Sequence, residues 1–378
     1  MKVGILTFHK SINYGSVLQC WALRDILVKH GYDVEVIDYE PDSYYQQYGL
    51  YQKGRTKHNV NVYFASHWIK RQNNLFAEFR ERTLNLSKEK YKSSSNFSSL
   101  NKYDVIICGS DQIWNLKALD CDPIYFLPFH TAGRKVAYAV SINDATYKEE
   151  KATDDLRKEI LNFDYISERE KSGADKLENF IHHEKKVDTC LDPTLLHKKS
   201  DFDSIVSERV EKEPYIFLYN VWSGHDGFNA ASRLSKRLNL PAYTGFMGRT
   251  LKSIVKVESR GIKVEKKYTS PSDYISLIKN AEWVVTDSFH GTAFSLIFEK
   301  QFISVNEVNP EGTKKNDERL TNILGQLGLL DRYITVDDVD SFNLNMPIDF
   351  RTVTAKRMKM ADESIHKLIS AIEGSLNS

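Results

Sequence analysis

Short apolar runs alternate with amphipathic stretches from the first residues onward. "VGILTF" is an apolar run of strand length, and the polar turn "HKSINYGS" follows it with a single glycine. In "VLQCWALRDILVKH", Val17, Trp21, Leu23, Leu27 and Val28 fall near one helical stripe, with Gly31 where a helix would stop. "DVEVIDY" alternates as a second strand. The first forty residues therefore predict a strand–helix–strand unit with parallel strands and a right-handed crossover.

Residues 41–100 are less regular. "NVYFASHWIKRQNNLFAEFRERT" spaces Phe64, Trp68, Leu75, Phe76 and Phe79 at helical intervals, with Lys70, Arg71, Arg80 and Arg82 nearby. That pattern fits a helix packed on its own domain, and it is also compatible with a membrane surface. The serine-rich "KSSSNFSSL" predicts a surface loop. Alternation then resumes with strands at "DVIICGS" and "KVAYAVS", a helix over 147–161, and the strand "FDYISERE" running into a helix. A second series starts at "YIFLYNV". It continues through a helix at 226–238, "PAYTGF", the helix "SDYISLIKNA", the strand "EWVVTDS", a helix after His290, and "FISV". The polar stretch 192–213 reads as the junction. The expectation is an α/β protein of two Rossmann-like domains facing across a cleft. Their bounds are 1–200, with 350–378 packing back on it, and 201–349. Ligands in such sheets bind beyond the carboxyl ends of the strands, which is where "NYGS", "GSDQIWN", "SINDA", "SERE" and "TDSFHG" fall.

Composition narrows this picture by exclusion. With 378 residues the chain can bury a large core. Its 52 basic and 51 acidic residues leave a net charge of +1, so no global field points to nucleic acid. The apolar segment in "MKVGILTFHK" is too short for a signal peptide, and no run approaches the roughly 20 residues of a membrane span. Cys20, Cys108, Cys121 and Cys190 lack metal or redox spacing, as expected of reduced cysteines in the cytoplasm.

Four motifs carry candidate chemistry. In "NYGSVLQ", Asn13, Tyr14 and Gly15 form a one-glycine turn before a helix, where an anion could bind. It is neither a dinucleotide fingerprint nor a Walker loop, so Asp38, at the ribose-acid position, lacks its usual companion. In "CGSDQIWN", capping accounts for Ser110 and Asp111, while Gln112, Trp114 and Asn115 also suit a sugar. In "ISEREKSG", Arg169 is either a surface partner of Glu168 or Glu170, or a guanidinium fork for a carboxylate or phosphate. In "TDSFHG", Ser288, His290 and Gly291 fall at a helix start. The positive helix end there disfavours imidazolium unless an anion binds beside it. His290 is then a local capping residue, or an acid/base whose protonation an anionic substrate completes. Lys314, Lys315 and Arg319 are further cations nearby in sequence.

Taken in order, "GILTFHKSINYGSVLQCWALRDIL", "DVIICGSDQIWN", "KVAYAVSIN", "YISEREKSG", "CLDPTLL", "WVVTDSFHGTAFSLIFEKQFISV" and the Arg319 region resemble the polysaccharide pyruvyl transferase family. The resemblance implies a GT-B-like fold. It also implies a cytoplasmic transferase that forms a pyruvate ketal on two sugar hydroxyls. Phosphoenolpyruvate is then the donor substrate, with no separate cofactor or metal. The acceptor is a glycan, a lipid-linked precursor included. The aromatic, basic segment 60–92 is compatible with peripheral association at the inner membrane face. The resemblance places the family's catalytic histidine on His290 and a donor-binding arginine on Arg169. Where the family pattern resembles Arg-Leu-His, this chain has Ser288, Phe289 and His290, so either Lys314, Lys315 or Arg319 supplies that cation or the donor differs. The competing classes are a glycosyltransferase using a nucleotide sugar on the same scaffold, and a non-catalytic binding protein of polysaccharide assembly.

Overall fold

A computed structural model describes residues 1–42, 56–129, 131–143, 145–208, 213–221, 225–245, 251–267 and 269–375. The chain divides into two compact units. One comprises Met1–Gly49, Arg80–His197 and Met358–Ser378, the other Leu50–Phe79 and Lys198–Arg357.

The elements of the first half run β1 (Lys2–Leu6), α1 (Tyr14–Lys29), β2 (Asp33–Glu40), α2 (Thr56–Thr83), β3 (Leu86–Lys92), β4 (Val105–Cys108), β5 (Arg134–Val140), α3 (Asp154–Leu161), β6 (Tyr165–Glu168), α4 (Lys171–Phe180) and β7 (Asp188–Thr189). The seven strands form one sheet in the order β3-β2-β1-β4-β5-β6-β7, with every pair parallel. Central strands covered on both faces must be apolar throughout, and all four residues of β4, "VIIC", are buried. The edge strand β3, "LSKEKYK", buries only its second and sixth residues fully and keeps lysines outward, which discourages pairing with another chain. On one face the core gathers Ile106, Ile113, Trp114, Phe126 and Phe163.

In the second half follow β8 (Ile216–Tyr219), α5 (Asp226–Leu238), β9 (Ala242–Gly245), α6 (Leu251–Glu258), β10 (Ile262–Glu265), α7 (Pro271–Asn280), β11 (Trp283–Thr286), α8 (Phe289–Ile297), β12 (Gln301–Val305), α9 (Glu318–Leu327), β13 (Tyr333–Ile334) and α10 (Phe350–Glu373). The second sheet is also all-parallel, in the order β10-β9-β8-β11-β12-β13. Each sheet thus has the Rossmann order 3-2-1-4-5-6, extended in the first by a seventh strand at its edge. The end of α10 belongs to the first unit, where Ser364 Oγ accepts from Leu191 N–H at 3.0 Å and Ala371 O from Arg134 Nε at 3.1 Å.

The structure departs from the periodicity at several points. Helix α1 begins at Tyr14 rather than Val17, because Asn13 caps it and accepts from the N–H groups of Gly15 and Ser16. Helix α3 begins at Asp154 rather than 147. Thr153 is its cap, and Tyr147 adopts φ +56°, which no helix tolerates. The serine-rich loop holds a 3₁₀ turn, Ser98–Lys102, that buries Leu100. No element was expected where α6 and β10 lie, nor at β3, since these elements are short and rich in charge.

Candidate functional site

Both sheets reverse winding between their first and fourth strands, β1 with β4 and β8 with β11. Loops leaving such neighbours diverge and open a crevice at the carboxyl edge. In the second unit, Asn220 and Val221 leave β8 while Asp287 and Ser288 leave β11. Asp287 Oδ1 accepts from Val221 N–H at 2.7 Å and so ties the two loops together. Thr286 Oγ1 donates to Tyr219 O at 2.7 Å and accepts from Ser288 N–H at 3.0 Å. These bonds hold the start of α8. His290 occupies its first turn with 7 % of its surface exposed, its ring edge-to-face with Phe289.

All nine residues of α8 are buried, which requires small residues and satisfied hydroxyls. A Cβ on Gly291 would lie 2.8 Å from Thr286 Cβ and nearer still to Thr286 Oγ1, so only glycine lets the turn sit this close to β11. Thr292 Oγ1 lies 2.7 Å from Ser304 Oγ, joining α8 to β12, and Ser295 Oγ donates back to Gly291 O at 2.8 Å. Ser288 is the N-cap residue with φ −105° and ψ 139°, yet its hydroxyl makes no capping bond. The site thus presents a buried imidazole and a serine hydroxyl at the positive end of a helix.

The three downstream cations are placed differently. Arg319 is buried and holds Asp317 through Nε at 2.9 Å and Nη2 at 2.5 Å. Lys315 pairs with the buried carboxylate of Glu307, and Lys314 is exposed. Two of the three therefore already neutralise carboxylates of their own loop.

In the first unit the carboxyl edge is a dense polar network. Thr7 Oγ1 donates to Ser110 O at 2.9 Å, Gln19 Nε2 donates to Thr7 Oγ1 at 3.0 Å, and Ser110 N–H donates to Gln19 Oε1 at 3.1 Å. Ser16 Oγ donates to Asp111 Oδ2 at 2.5 Å. Gly109, at φ +122°, passes so close to Tyr138 O that any side chain there would overlap it. Arg169 is 4 % exposed. Its Nε donates to Glu170 Oε1 at 2.6 Å and its Nη1 to Asp192 Oδ2 at 2.9 Å. Burial alone would lower its pKa, but the carboxylates of Glu170, Asp192 and Asp111 outweigh that and raise it. Ser141 Oγ donates to Glu170 Oε2 at 2.7 Å. Glu168, held by the N–H groups of Ile142 and Glu170, has its pKa raised well above 4.5 by burial and by Glu170 beside it. The sequence offered a surface ion pair or an anion-gripping fork for Arg169. The structure gives a buried guanidinium with carboxylates on its Nε and Nη1.

Other candidates have structural duties. Asn13 is a helix cap, and Tyr14 and Gly15 are buried in the first turn of α1. Trp114 is 0 % exposed, stacks on Phe126 at 5.0 Å and donates to Tyr125 O at 3.0 Å, so its indole fills the core rather than a surface a sugar could reach. Gln112 Oε1 accepts from Asn115 Nδ2 at 3.1 Å within one turn. Asp38 does not offer a ribose its carboxylate. It is 2 % exposed and bonded to His9 Nε2 at 3.1 Å and Lys10 Nζ at 2.7 Å. Burial pushes its pKa up, but His9 and Lys10 reverse this and hold it at about 2. Asp192, Gln19, Ser16, Thr286 and Asp287 were missed. Asp192 and Asp287 each end or follow a strand as a lone acid, which was the available signal. Among the described residues no cluster of His, Cys, Asp and Glu is arranged to hold a metal ion, and no helix is long and apolar enough to cross a membrane.

The two-sheet architecture is shared with several solved structures. UDP-GlcNAc 2-epimerase from Neisseria meningitidis bound to UDP-GlcNAc superposes with a TM-score of 0.54 at 9 % identity, covering 99 % of this chain and 100 % of that one. The S. aureus MnaA–UDP structure gives 0.53 at 10 % identity, covering 100 % and 97 %. UDP-GlcNAc 2-epimerase from Methanocaldococcus jannaschii gives 0.53 at 12 % identity, covering 98 % and 99 %. At such identities the likeness establishes the GT-B-type fold. No curated protein matches the chain in sequence. The polysaccharide pyruvyl transferase family matches residues 13–307, from the cap of α1 through the loop after β12. The chain therefore belongs to the polysaccharide pyruvyl transferase family.

Proposed function

We propose that this protein transfers pyruvate from phosphoenolpyruvate to two hydroxyls of one sugar, in a polysaccharide or its lipid-linked precursor, and works in the cytoplasm. The observation that carries this reading is His290, on the first turn of α8 at the switch point of its sheet, beside a serine hydroxyl not used for capping. Phosphoenolpyruvate brings a carboxylate and a phosphate, and a helix N-terminus supplies N–H donors and positive potential for one of them.

The reaction needs two proton movements. One sugar hydroxyl bonds to C2 of the enolpyruvyl group, and its proton ends on C3, turning the methylene into a methyl. The C2–O bond to phosphate then breaks, and the electron pair leaves with the phosphate. The second hydroxyl closes the ketal on C2, and its proton ends on the departing phosphate. His290 relays each proton in turn. Ser288 Oγ and the first-turn N–H groups bind an anionic oxygen of the donor. Arg169 enters as a positioning residue. Its Nε and Nη1 donate to Glu170 and Asp192, and it thereby ties the loop after β6 to the loop after β7.

The test is incubation with phosphoenolpyruvate and a panel of galactose-, glucose- and mannosamine-containing acceptors, read as the mass gain of a ketal and release of phosphate. His290→Ala is expected to abolish product while the protein stays folded, and a fully active variant would sink the assignment. A second reading, a glycosyltransferase using a nucleotide sugar, draws on fold-mates whose structures hold UDP or UDP-GlcNAc. Stabilisation by UDP-sugars with none by phosphoenolpyruvate would favour it.

A further inference from the structure

One face of the second unit differs in charge and polarity from the rest of the chain. Helix α2 turns Ala65, Ile69, Gln72 and Phe76 inward. Ala65 and Ile69 pack on Ile254 of α6, and Val264 of β10 closes that contact. The opposite stripe, at spacings of three and four, is Tyr63, Phe64, His67, Lys70 and Arg71, all exposed. Tyr63 and Phe64 are 67 % and 62 % exposed, and their rings meet edge-to-face at 5.8 Å. On the neighbouring helix α6, Val255 is 58 % exposed. Exposed aromatic rings in contact with each other form an apolar patch of the kind that marks an interaction surface.

Basic residues are frequent on the same three elements. Lys70 and Arg71 lie on α2, Lys252 and Lys256 on α6, and Lys263 and Lys267 on or just beyond β10. Lys266 stands over the Trp68 ring at 5.6 Å, and Arg71 reaches Lys267 O. Residues 63–79 and 251–267 together hold eight basic and three acidic side chains, an excess of five in a protein whose whole net charge is +1. Positive charge is therefore concentrated on the layer that also carries the exposed rings. A helix that exposes aromatic residues on one stripe together with lysine and arginine suits the headgroup region of a bilayer, where rings enter the acyl boundary and cations meet anionic lipid.

We propose that this α2–α6–β10 face docks the protein on an anionic lipid surface. The inference is independent of the chemistry at His290, since vesicle binding is read without turnover.

The test is flotation of the full chain with vesicles of phosphatidylcholine alone, or mixed with phosphatidylglycerol. Binding is expected to the mixed vesicles only, and it should fall steeply when salt is raised from about 0.05 to 0.5 M as screening shortens. Lys70→Glu/Arg71→Glu is expected to weaken binding by well over tenfold, since each cation lost near the surface costs about fivefold. Tyr63→Ser/Phe64→Ser is expected to weaken it about tenfold or more. Both pairs should keep the wild-type urea midpoint because their side chains are exposed. The control Lys186→Glu, a residue of the first unit, should bind as wild type. No binding of wild type to the mixed vesicles would overturn the proposal, as would Tyr63→Ser/Phe64→Ser binding unchanged. So would a concentration-dependent dimer abolished by the same variant, or capture of a soluble acidic polysaccharide, if either came without vesicle binding.

Discussion

Adding a single methyl at Gly291 tests the physical basis of the His290 site. The new Cβ would overlap Thr286, lying 2.8 Å from its Cβ and closer still to Oγ1. Either the first turn of α8 lifts from β11, or Thr286 rotates away and gives up its bonds to Tyr219 O and Ser288 N–H. Overpacking a dense core costs about 1–3 kcal/mol. Two disrupted buried hydrogen bonds add about 1 kcal/mol each. A helical alanine in place of glycine returns at most about 1 kcal/mol. Gly291→Ala should therefore destabilise the protein by about 3 kcal/mol, and by displacing His290 it should lower ketal formation more than stability alone explains. Thr286→Ala loses the same two bonds and strands a buried N–H, for about 3 kcal/mol by itself. Because both variants break one arrangement, the double variant should cost about 4 kcal/mol rather than about 6, a coupling well outside the additivity expected of independent sites. Urea unfolding of the four proteins, followed by tryptophan fluorescence, measures the cycle. Strict additivity, or a Gly291→Ala protein as stable as wild type, would refute the account of why glycine stands there.

Three further outcomes follow from the buried charges. Glu168 keeps its proton in the folded state above pH 4.5 while the unfolded chain releases it, so its contribution to stability falls as pH rises from there. Glu168→Gln should flatten that slope, at a cost of up to about 1 kcal/mol because the amide keeps only one acceptor for the N–H groups of Ile142 and Glu170. A variant destabilised by more than about 1 kcal/mol, with the slope unchanged, would contradict the protonated assignment. Asp38, held at about 2, contributes stability that is present above pH 3.8 and lost toward pH 2. Asp38→Asn should cost about 2 kcal/mol at neutral pH and remove that acid limb, as read by urea midpoints between pH 2 and 5. Arg169→Ala leaves Glu170 and Asp192 buried without their cation and should cost about 3–5 kcal/mol, with Arg169→Lys restoring part of the stability. A folded, stable Arg169→Ala protein that has lost only its affinity for phosphoenolpyruvate would return Arg169 to direct donor binding.

The sequence by itself determined the alternation of strands and helices, and with it two parallel sheets. Buried strands such as "VIIC" and "WVVT" must be apolar throughout, and amphipathic helices must cover them, so the pattern is written residue by residue. It failed at β3 and β10, short, lysine-bearing edge strands that owe their form to neighbouring strands rather than to their own periodicity, and at the short amphipathic helix α6. His290 was legible because a strand end, a cap position and an imidazole lie within five residues of one another. The partners of the other polar residues were not legible, because they are distant in the chain. Asp111 meets Ser16, Arg169 meets Asp192, and Asp38 meets His9. Only the parallel register, which brings the carboxyl ends of β1, β2, β4, β5 and β6 to one edge, decides which charges are neutralised there. The same holds for Trp114, whose indole suits a sugar in sequence yet stacks on Phe126 in the core. A side chain's type sets what it can bind, and the packing of remote segments settles what it does bind.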